Sequence, residues 1–160
     1  MSFDRTKVEY VWAEIPNEDV LPRWREGMYS NHYQLAARQG KLLVGSASIG
    51  VGFHKSEVLQ QTILITDLLD LKVEKDFRNN GIGATLVNLV NEYITLNYAM
   101  GLLLNGIDPR LPTVTIYKTN GWENFSYDKT TGFMYYDPIR YLANRSVAAL
   151  FLREVGWRVI

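Results

Sequence analysis

The alternation of apolar and polar positions predicts a series of strands with a long helix in the middle of the chain. Apolar runs, partial alternation and flanking turn residues predict seven strands. They are residues 8–15, 33–38, 41–54, 62–73, 102–107, 126–129 and 132–137. The apolar run at 62–73 is the longest, so we expect it to lie at the centre of a sheet.

The helical segments follow from a different spacing. Residues 82–98 carry apolar side chains at steps of four, three and four, which places them on one face of a helix. That face comprises Ile82, Leu86, Leu89 and Tyr93, and the opposite polar face comprises Asn88, Asn91, Glu92 and Thr95. Gly101 is the predicted stop. Proline at the first turn predicts shorter helices at 22–30 and 112–119.

The order of these elements predicts a mixed α/β fold. A strand, a long helix and a second strand occupy residues 62–107, and a crossover of that length makes the two strands parallel neighbours. The segment 139–160 lies beyond the last hairpin. Its residues Val147, Leu150, Phe151 and Val155 have helical spacing.

Composition and charge narrow the class of protein. The 160 residues favour one domain, and 47% hydrophobic residues exclude a disordered coil. Seventeen basic and seventeen acidic residues balance, which argues against nucleic-acid binding by bulk charge. The absence of cysteine excludes disulfides and a cysteine nucleophile. Without a signal-like start or an apolar run of about 20 residues, we expect a cytoplasmic protein with no membrane partner.

The turn between the central strand and the long helix carries the candidate chemistry. Its sequence is Arg78-Asn79-Asn80-Gly81-Ile82-Gly83-Ala84. The first amides of a helix lack partners within it and, with the helix dipole, attract anions. Glycine lets a ligand approach the backbone closely, and an arginine adds a charged donor. This pattern predicts a phosphate or pyrophosphate site, unless the glycines only shape a tight turn. Neither GxxxxGK[ST] nor GxGxxG is present.

Two motifs resemble those of the GNAT superfamily of acyl-CoA N-acyltransferases. The run Leu71-x-Val73-x(4)-Arg78-x-x-Gly-Ile-Gly-Ala84 is similar to its acetyl-CoA-binding motif. The segment from Ile116 to Trp122, Ile-Tyr-Lys-Thr-Asn-Gly-Trp, is similar to its L-Y-x-x-x-G-F segment. The resemblance covers residues 8–137.

The resemblance implies a central mixed, largely antiparallel sheet flanked by helices, with splayed parallel central strands. It implies a GNAT N-acetyltransferase domain at 1–138 and an extension at 139–160 that packs on this domain or on a homodimer partner. The implied activity transfers acetyl from acetyl-CoA to a small-molecule or protein amine by direct attack. Its alternative is an inactive CoA-binding sensor or scaffold. Outside the family, the chain would be an α/β interaction protein with structural glycines.

Site residues carry over from the same motifs. The resemblance implies that the backbone of Arg78, Asn79, Asn80, Gly81, Ile82, Gly83 and Ala84 wraps the CoA pyrophosphate. Edge groups of Leu71 and Val73 would bind the pantetheine arm. Tyr117 would protonate the leaving thiolate. His32 and His54 lack a partner at metal-ligand spacing, so no metal is expected.

The general base is the least determined position. Asp67 lies where some family members place a strand carboxylate, and strict alternation puts it on the face of Leu69, Leu71 and Val73. Asp70 would then point to the opposite face. His54 and Glu57, at the end of the preceding strand, are further alternatives.

Overall fold

Seven strands among the described residues form one mixed sheet in the order β1-β2-β3-β4-β5-β7-β6. The computed structural model describes residues 7–20, 29–107, 112–126 and 132–156. The strands are β1 (Val8–Glu14), β2 (Asn31–Gln39), β3 (Leu42–Ser56), β4 (Gln61–Val73), β5 (Met100–Ile107), β6 (Glu123–Ser126) and β7 (Gly132–Tyr136). The helices are α1 (Ile82–Leu96), α2 (Pro112–Thr119) and α3 (Arg145–Gly156), with 3-10 turns at Asn17–Asp19 and Lys75–Phe77.

Among the described strands, β4 and β5 form the parallel pair of this sheet, and they pair over a short stretch. Ile65, Thr66 and Asp67 pair with Met100, Gly101 and Leu102, and the pairing ends there. β4 continues to Val73 and β5 to Ile107, so their carboxyl-terminal halves separate. The other described strand pairs are antiparallel. The mixed, largely antiparallel sheet with splayed parallel central strands is confirmed.

Each face of the sheet has its own apolar cluster. On the α1 face, Leu86 and Val90 of the helix pack with Leu35 and Ile49 of the strands. On the α3 face, the fully buried Phe151 packs with a group of strand residues, namely Ile63, Ile65, Met100 and Leu102. The C-terminal helix therefore completes the core of this chain's own sheet.

A bulge in β4 changes which side chains share a face. Leu68 pairs with Ile49, but Asp70, two positions later, pairs with Ser48, so Leu69 is an extra residue. Gly50, the partner of Asp67, and Ser48, the partner of Asp70, are two residues apart in β3 and so lie on one face. Both carboxylates therefore lie on the α3 face.

The expectation of strict alternation along β4 is therefore wrong. Leu71 and Val73 pack with the apolar cluster on the α1 face, opposite Asp67. Asp70, expected on the other face, shares the face of Asp67.

Helix α1 differs from its prediction at its end and on its polar face. It ends at Leu96 with Asn97 as its C-cap, and Gly101 lies inside β5, so the predicted glycine stop is wrong. A Cβ at Gly101 would lie 2.7 Å from Ile94 Cδ1, which gives this glycine a packing role. Asn91, expected on the polar face, is buried.

The remaining predictions concern the helix at 22–30, the closing hairpin and the C-terminal segment. The predicted helix at 22–30 falls mainly on residues 21–28, which lie outside the described residues, as do 127–131 of the closing hairpin. The first hairpin strand begins at Glu123, three residues earlier than expected. In α3, Leu150 is 54% exposed, whereas its neighbour Phe151 is fully buried. Within the described ranges, no helix combines the length and apolar character needed to cross a membrane.

Candidate functional site

The loop from β4 to α1 is held in shape by its own side chains. Asn79 and Gly81 both have left-handed backbones, with φ of 64° and 79°. The side-chain nitrogen Nδ2 of Asn80 donates to the backbone carbonyls of Phe77 and Arg78, at 3.2 and 3.1 Å. Of the predicted anion-binding residues, 78–81 thus form a tight loop in which the Asn80 side chain points back into the loop, and 82–84 form the first turn of α1.

The amino terminus of α1 has no side-chain cap. Gly81 is the N-cap and supplies no hydrogen-bond acceptor from a side chain. The amide of Thr85 makes the first bond of the helix, 3.0 Å to the Gly81 carbonyl. The amides of Ile82, Gly83 and Ala84 precede it and have no partner within the helix. Three donors at the positive end of the helix dipole are thus suited to an anion.

Arg78 and Gly83 have contacts that the sequence did not predict. The Arg78 Nε donates to the Val73 carbonyl at 3.1 Å, and the side chain is exposed. Guanidinium has five N–H donors, so four others can serve an anion. A Cβ on Gly83 would lie 3.3 Å from Ile116 Cδ1 and 3.7 Å from Val73 Cγ2. This glycine therefore also lets α1 pack closely against α2.

The gap between β4 and β5 begins directly after Asp67. Residues 68–73, apart from the bulged Leu69, pair with β3 on one side, and none of them pairs with β5. In a strand, backbone N–H and C=O groups alternate between the two neighbouring strands. Alternate residues of this segment therefore direct their polar groups into the gap. Leu71 and Val73, which are predicted to bind the pantetheine arm, belong to this segment of β4 and are half-buried.

Tyr117 lies in the apolar cluster on the α1 face. Its side chain is 5% exposed, and its ring centroid lies 5.8 Å from that of Trp122. Burial, and next the negative charge of Asp70, raise the pKa of the Tyr117 phenol well above 10. The phenol therefore stays protonated at neutral pH, as an acid must before it donates. The structure brings Tyr117 within electrostatic reach of Asp70.

Asp67 is 1% exposed and has a partner that sequence reasoning missed. The Tyr29 hydroxyl donates a short hydrogen bond to Asp67 Oδ2. Burial, then the charge of Asp67 and its hydrogen bond, raise the pKa of Tyr29 far above 10, so Tyr29 remains the donor. These residues are 38 positions apart, and no local pattern indicates the contact.

A cavity lies beside this pair. Its volume is about 360 Å³, and its described lining comprises Asn17, Glu18, Val20, Tyr29, Ser30 and His32. Tyr29 both lines this cavity and contacts Asp67, so the carboxylate is one side chain away from the cavity. The charged group among the described lining residues is the carboxylate of Glu18.

The alternative bases His54 and Glu57 belong to a different cluster. His54 is buried and its Nε2 lies 3.0 Å from Glu154 Oε2, while the amide of Glu57 donates to Glu154 Oε1 at 2.8 Å. His54 pairs with Ile63, four residues before Asp67 along β4. The structure therefore does not bring His54 together with Asp67. Among the described residues, no group of three His, Asp or Glu side chains could hold a metal ion.

Comparison with known proteins identifies the fold. No family model matches the sequence, and no curated protein matches it. Among solved structures, the chain is similar to Arabidopsis thaliana Naa50 in complex with the bisubstrate analogue CoA-Ac-MVNAL. The TM-score is 0.55 at 15% identity, over 81% of this chain and 97% of that one. It is also similar to a GNAT family acetyltransferase from Elizabethkingia anophelis with acetyl-CoA bound, with a TM-score of 0.52 at 10% identity, over 83% and 99%.

A third similar structure is the PaiA N-acetyltransferase from Thermoplasma acidophilum in complex with coenzyme A. Its TM-score is 0.51 at 16% identity, over 65% of this chain. The chain spans 59% of the length of that protein. Two of these three proteins are named acetyltransferases and the third is bound to a bisubstrate analogue that contains CoA, and at these identities the similarities establish the fold.

Proposed function

We propose that this chain, which has the fold of the GNAT acetyltransferases, transfers the acetyl group of acetyl-CoA to a primary amine. The observation that carries the proposal is the opening of β4 away from β5 beside the uncapped amino terminus of α1. An extended ligand with a diphosphate at one end, such as CoA, would find two kinds of partner there. The amides at the start of α1 suit the diphosphate, and the unpaired backbone groups of β4 suit the amide bonds of the pantetheine arm.

The cofactor side is formed mainly by backbone groups. The amides of Ile82, Gly83 and Ala84 would hold the diphosphate, with the exposed guanidinium of Arg78 as a charged donor. Leu71 in the open segment of β4 would hydrogen-bond to the pantetheine arm. The Val73 carbonyl already accepts from Arg78, which fixes that side chain at the end of the strand.

The acid and the base approach the gap from opposite faces of the sheet. Asp67 lies on the α3 face at the last residue pair before the gap, and Tyr117 lies in the cluster on the α1 face. Acetyl-CoA supplies the acyl group as a thioester, whose C–S bond breaks as the C–N bond forms. Asp67 would accept the proton that the amine nitrogen must lose. Tyr117 would donate a proton to the departing sulfur.

The cavity beside Tyr29 is the proposed entrance for the acceptor. Its described charged residue is Glu18, and Asp67 lies behind Tyr29, so the lining favours a cation. An amine with an ordinary pKa near 10.4 is a cation at neutral pH. Both a small amine and the amino group of a peptide match this charge.

The test is acetyl transfer to a panel of small amines and peptides, measured as release of free CoA. We expect turnover with at least one cationic acceptor and a large loss of kcat in Asp67→Asn. Acetyl-CoA should also raise the melting temperature, as any ligand of the native state does. No stabilisation by millimolar acetyl-CoA would contradict the whole proposal. Stabilisation without turnover on any amine would favour the CoA-binding sensor instead.

A further inference from the structure

We propose that Tyr29 is a positioning residue that fixes the Asp67 carboxylate and stabilises its ionised form, with Gly50 providing the space for its ring. This inference rests on the proposed function, because it gives Asp67 the role of a base. It assigns a role to a residue outside both motifs of the sequence.

The first observation is the hydrogen bond itself. The Tyr29 hydroxyl donates to Asp67 Oδ2, and the carboxylate is 1% exposed to solvent. A carboxylate removed from water loses the solvation that favours its charged form. A hydrogen bond donated to the charged form restores part of that stabilisation. Tyr29 thus supplies what water would supply at an exposed aspartate.

The second observation is the fit of the Tyr29 ring against the sheet. A Cβ built on Gly50 would lie 2.7 Å from both Cγ and Cδ2 of Tyr29. Real side chains do not approach this closely, so the ring occupies space that any other residue at position 50 would fill. Gly50 pairs directly with Asp67 across β3 and β4. The ring therefore lies over one strand while its hydroxyl reaches the next.

The third observation is a contact of the Tyr29 ring with the next strand of the sheet. His32 pairs with Gly50 from β2, and its ring meets that of Tyr29 edge-on, with centroids 5.9 Å apart and planes at 88°. Three adjacent strands thus contribute His32, Gly50 and Asp67 to one row beneath Tyr29. These contacts with Gly50 and His32 limit how far the ring can move its hydroxyl away from the carboxylate.

Other charged and titratable groups share this face and define the background for any pH effect. Asp70 lies on the same face of β4, beyond the bulge. Leu102 continues the row on β5, followed by Tyr135 on β7 and Glu123 on β6. Tyr135 donates to Glu123, so those two are paired with each other. His54 lies further along β3 and is paired with Glu154 of α3. Among the described groups, Tyr29 is the one that donates a hydrogen bond to Asp67 Oδ2.

The experiment compares the titration of Asp67 in the full chain and its variants. The carboxyl carbon is followed by NMR in protein labelled at aspartate, with the resonance assigned by Asp67→Asn. In Tyr29→Phe, which keeps the ring and removes the hydroxyl, we expect the titration midpoint of Asp67 to rise by about one pH unit, a tenfold change in the ratio of ionised to neutral form. The matched control is Tyr33→Phe, whose ring packs on the α1 face 6.4 Å from Tyr93. It should leave the midpoint unchanged.

A second variant tests the position of the ring independently. Gly50→Ala should displace Tyr29 and raise the midpoint of Asp67 as well, although the hydroxyl is still present. In a Tyr29→Ala background, Gly50→Ala should add no further change, because the ring that it displaces is gone. An additional shift in that background would mean that Gly50 acts on Asp67 without Tyr29, and would overturn the inferred fit.

Kinetics separate this inference from the proposed function. Once an acceptor amine has been identified, Tyr29→Phe should move the acid limb of the pH profile of kcat/KM to higher pH. It should leave the KM for acetyl-CoA unchanged. An unchanged Asp67 midpoint in Tyr29→Phe overturns the inference even if the enzyme is active. If the midpoint moves but no amine is acetylated by the native chain, the positioning contact stands and the proposed function fails.

Discussion

Glu154 anchors the C-terminal helix to the sheet, and its replacement should destabilise the protein measurably. The carboxylate accepts four hydrogen bonds, from His54 Nε2 at 3.0 Å, Ser56 Oγ at 2.8 Å, and the amides of Glu57 and Val58 at 2.8 and 3.4 Å. The His54 side chain is 2% exposed and that of Glu154 is 16% exposed. One side chain of α3 thus holds the end of β3 and the turn that follows it.

The cost of Glu154→Ala follows from the donors that it leaves behind. His54 and Ser56 are both buried, and each unsatisfied buried donor costs about 1–3 kcal/mol. The two donors together set a range of about 2–6 kcal/mol. Because Glu154 is partly exposed to solvent, we expect a loss near the low end of this range, about 3 kcal/mol in the free energy of unfolding. For a chain of this size that lowers the melting temperature by roughly 6–12 °C.

The same contact should depend on pH in a defined direction. Burial alone would raise the pKa of Glu154, but the four hydrogen bonds outweigh it and lower the pKa below its ordinary 4.5. A depressed folded-state pKa stabilises the fold above the unfolded-state value, and this stabilisation is lost as pH falls through the folded value. Glu154→Gln should therefore differ from the native chain in melting temperature at pH 7, and the difference should narrow below pH 4.5.

The assay is thermal unfolding followed by circular dichroism across this pH range. The control is Glu92→Ala on the exposed side of α1, which should change the free energy of unfolding by less than about 0.5 kcal/mol. Equal effects of the two alanine variants would refute the assigned role of Glu154. So would a difference between Glu154→Gln and the native chain that does not depend on pH.

Three further predictions concern α1 and the segment 112–122 that packs against it. Gly81→Asp and Gly81→Asn both place a residue that tolerates the left-handed backbone at the start of α1, but Asp adds a negative charge beside the proposed diphosphate. CoA affinity by calorimetry should be at least about tenfold weaker in the Asp variant, and equal affinities would exclude an anion there. Tyr117→Phe should lower kcat while CoA binding by calorimetry is unchanged; full activity would remove the acid role. Asn91→Leu breaks its bonds to Trp122 Nε1 and the Asn120 carbonyl, both 2.7 Å, and should cost about 2–4 kcal/mol in denaturant unfolding; a smaller loss would mean that water replaces the amide.

Much of the fold could be predicted because its signals are local. The step of three or four residues from Ile82 to Ile94 predicted α1, and the apolar run at 62–73 predicted the central strand. The loop between them was recognised from Arg78, Gly81 and Gly83, whose chemistry lies within six consecutive residues. Proline at 112 and glycine at 121, with φ of 92°, marked the limits of α2.

The errors arose where one extra residue or a distant contact decided the outcome. The bulge at Leu69 depends on the partner strand, so the sequence of β4 alone could not reveal that Asp67 and Asp70 share a face. Asn91 has the spacing of an exposed residue, and it is buried because Trp122, 31 positions later, needs an acceptor. The partner of Asp67 was missed for the same reason, since Tyr29 precedes it by 38 positions.

The short junction of β4 with β5 divides the sheet into a four-stranded half and a three-stranded half. Three residue pairs join them, and Phe151 and Leu152 of α3 pack across both sides of that junction. The C-terminal helix thus limits how far the two halves of the sheet can rotate relative to each other. A truncation before α3, or a fusion that displaces it, would remove this packing and so alter the width of the gap between β4 and β5 without changing residues 68–73, which line one edge of it.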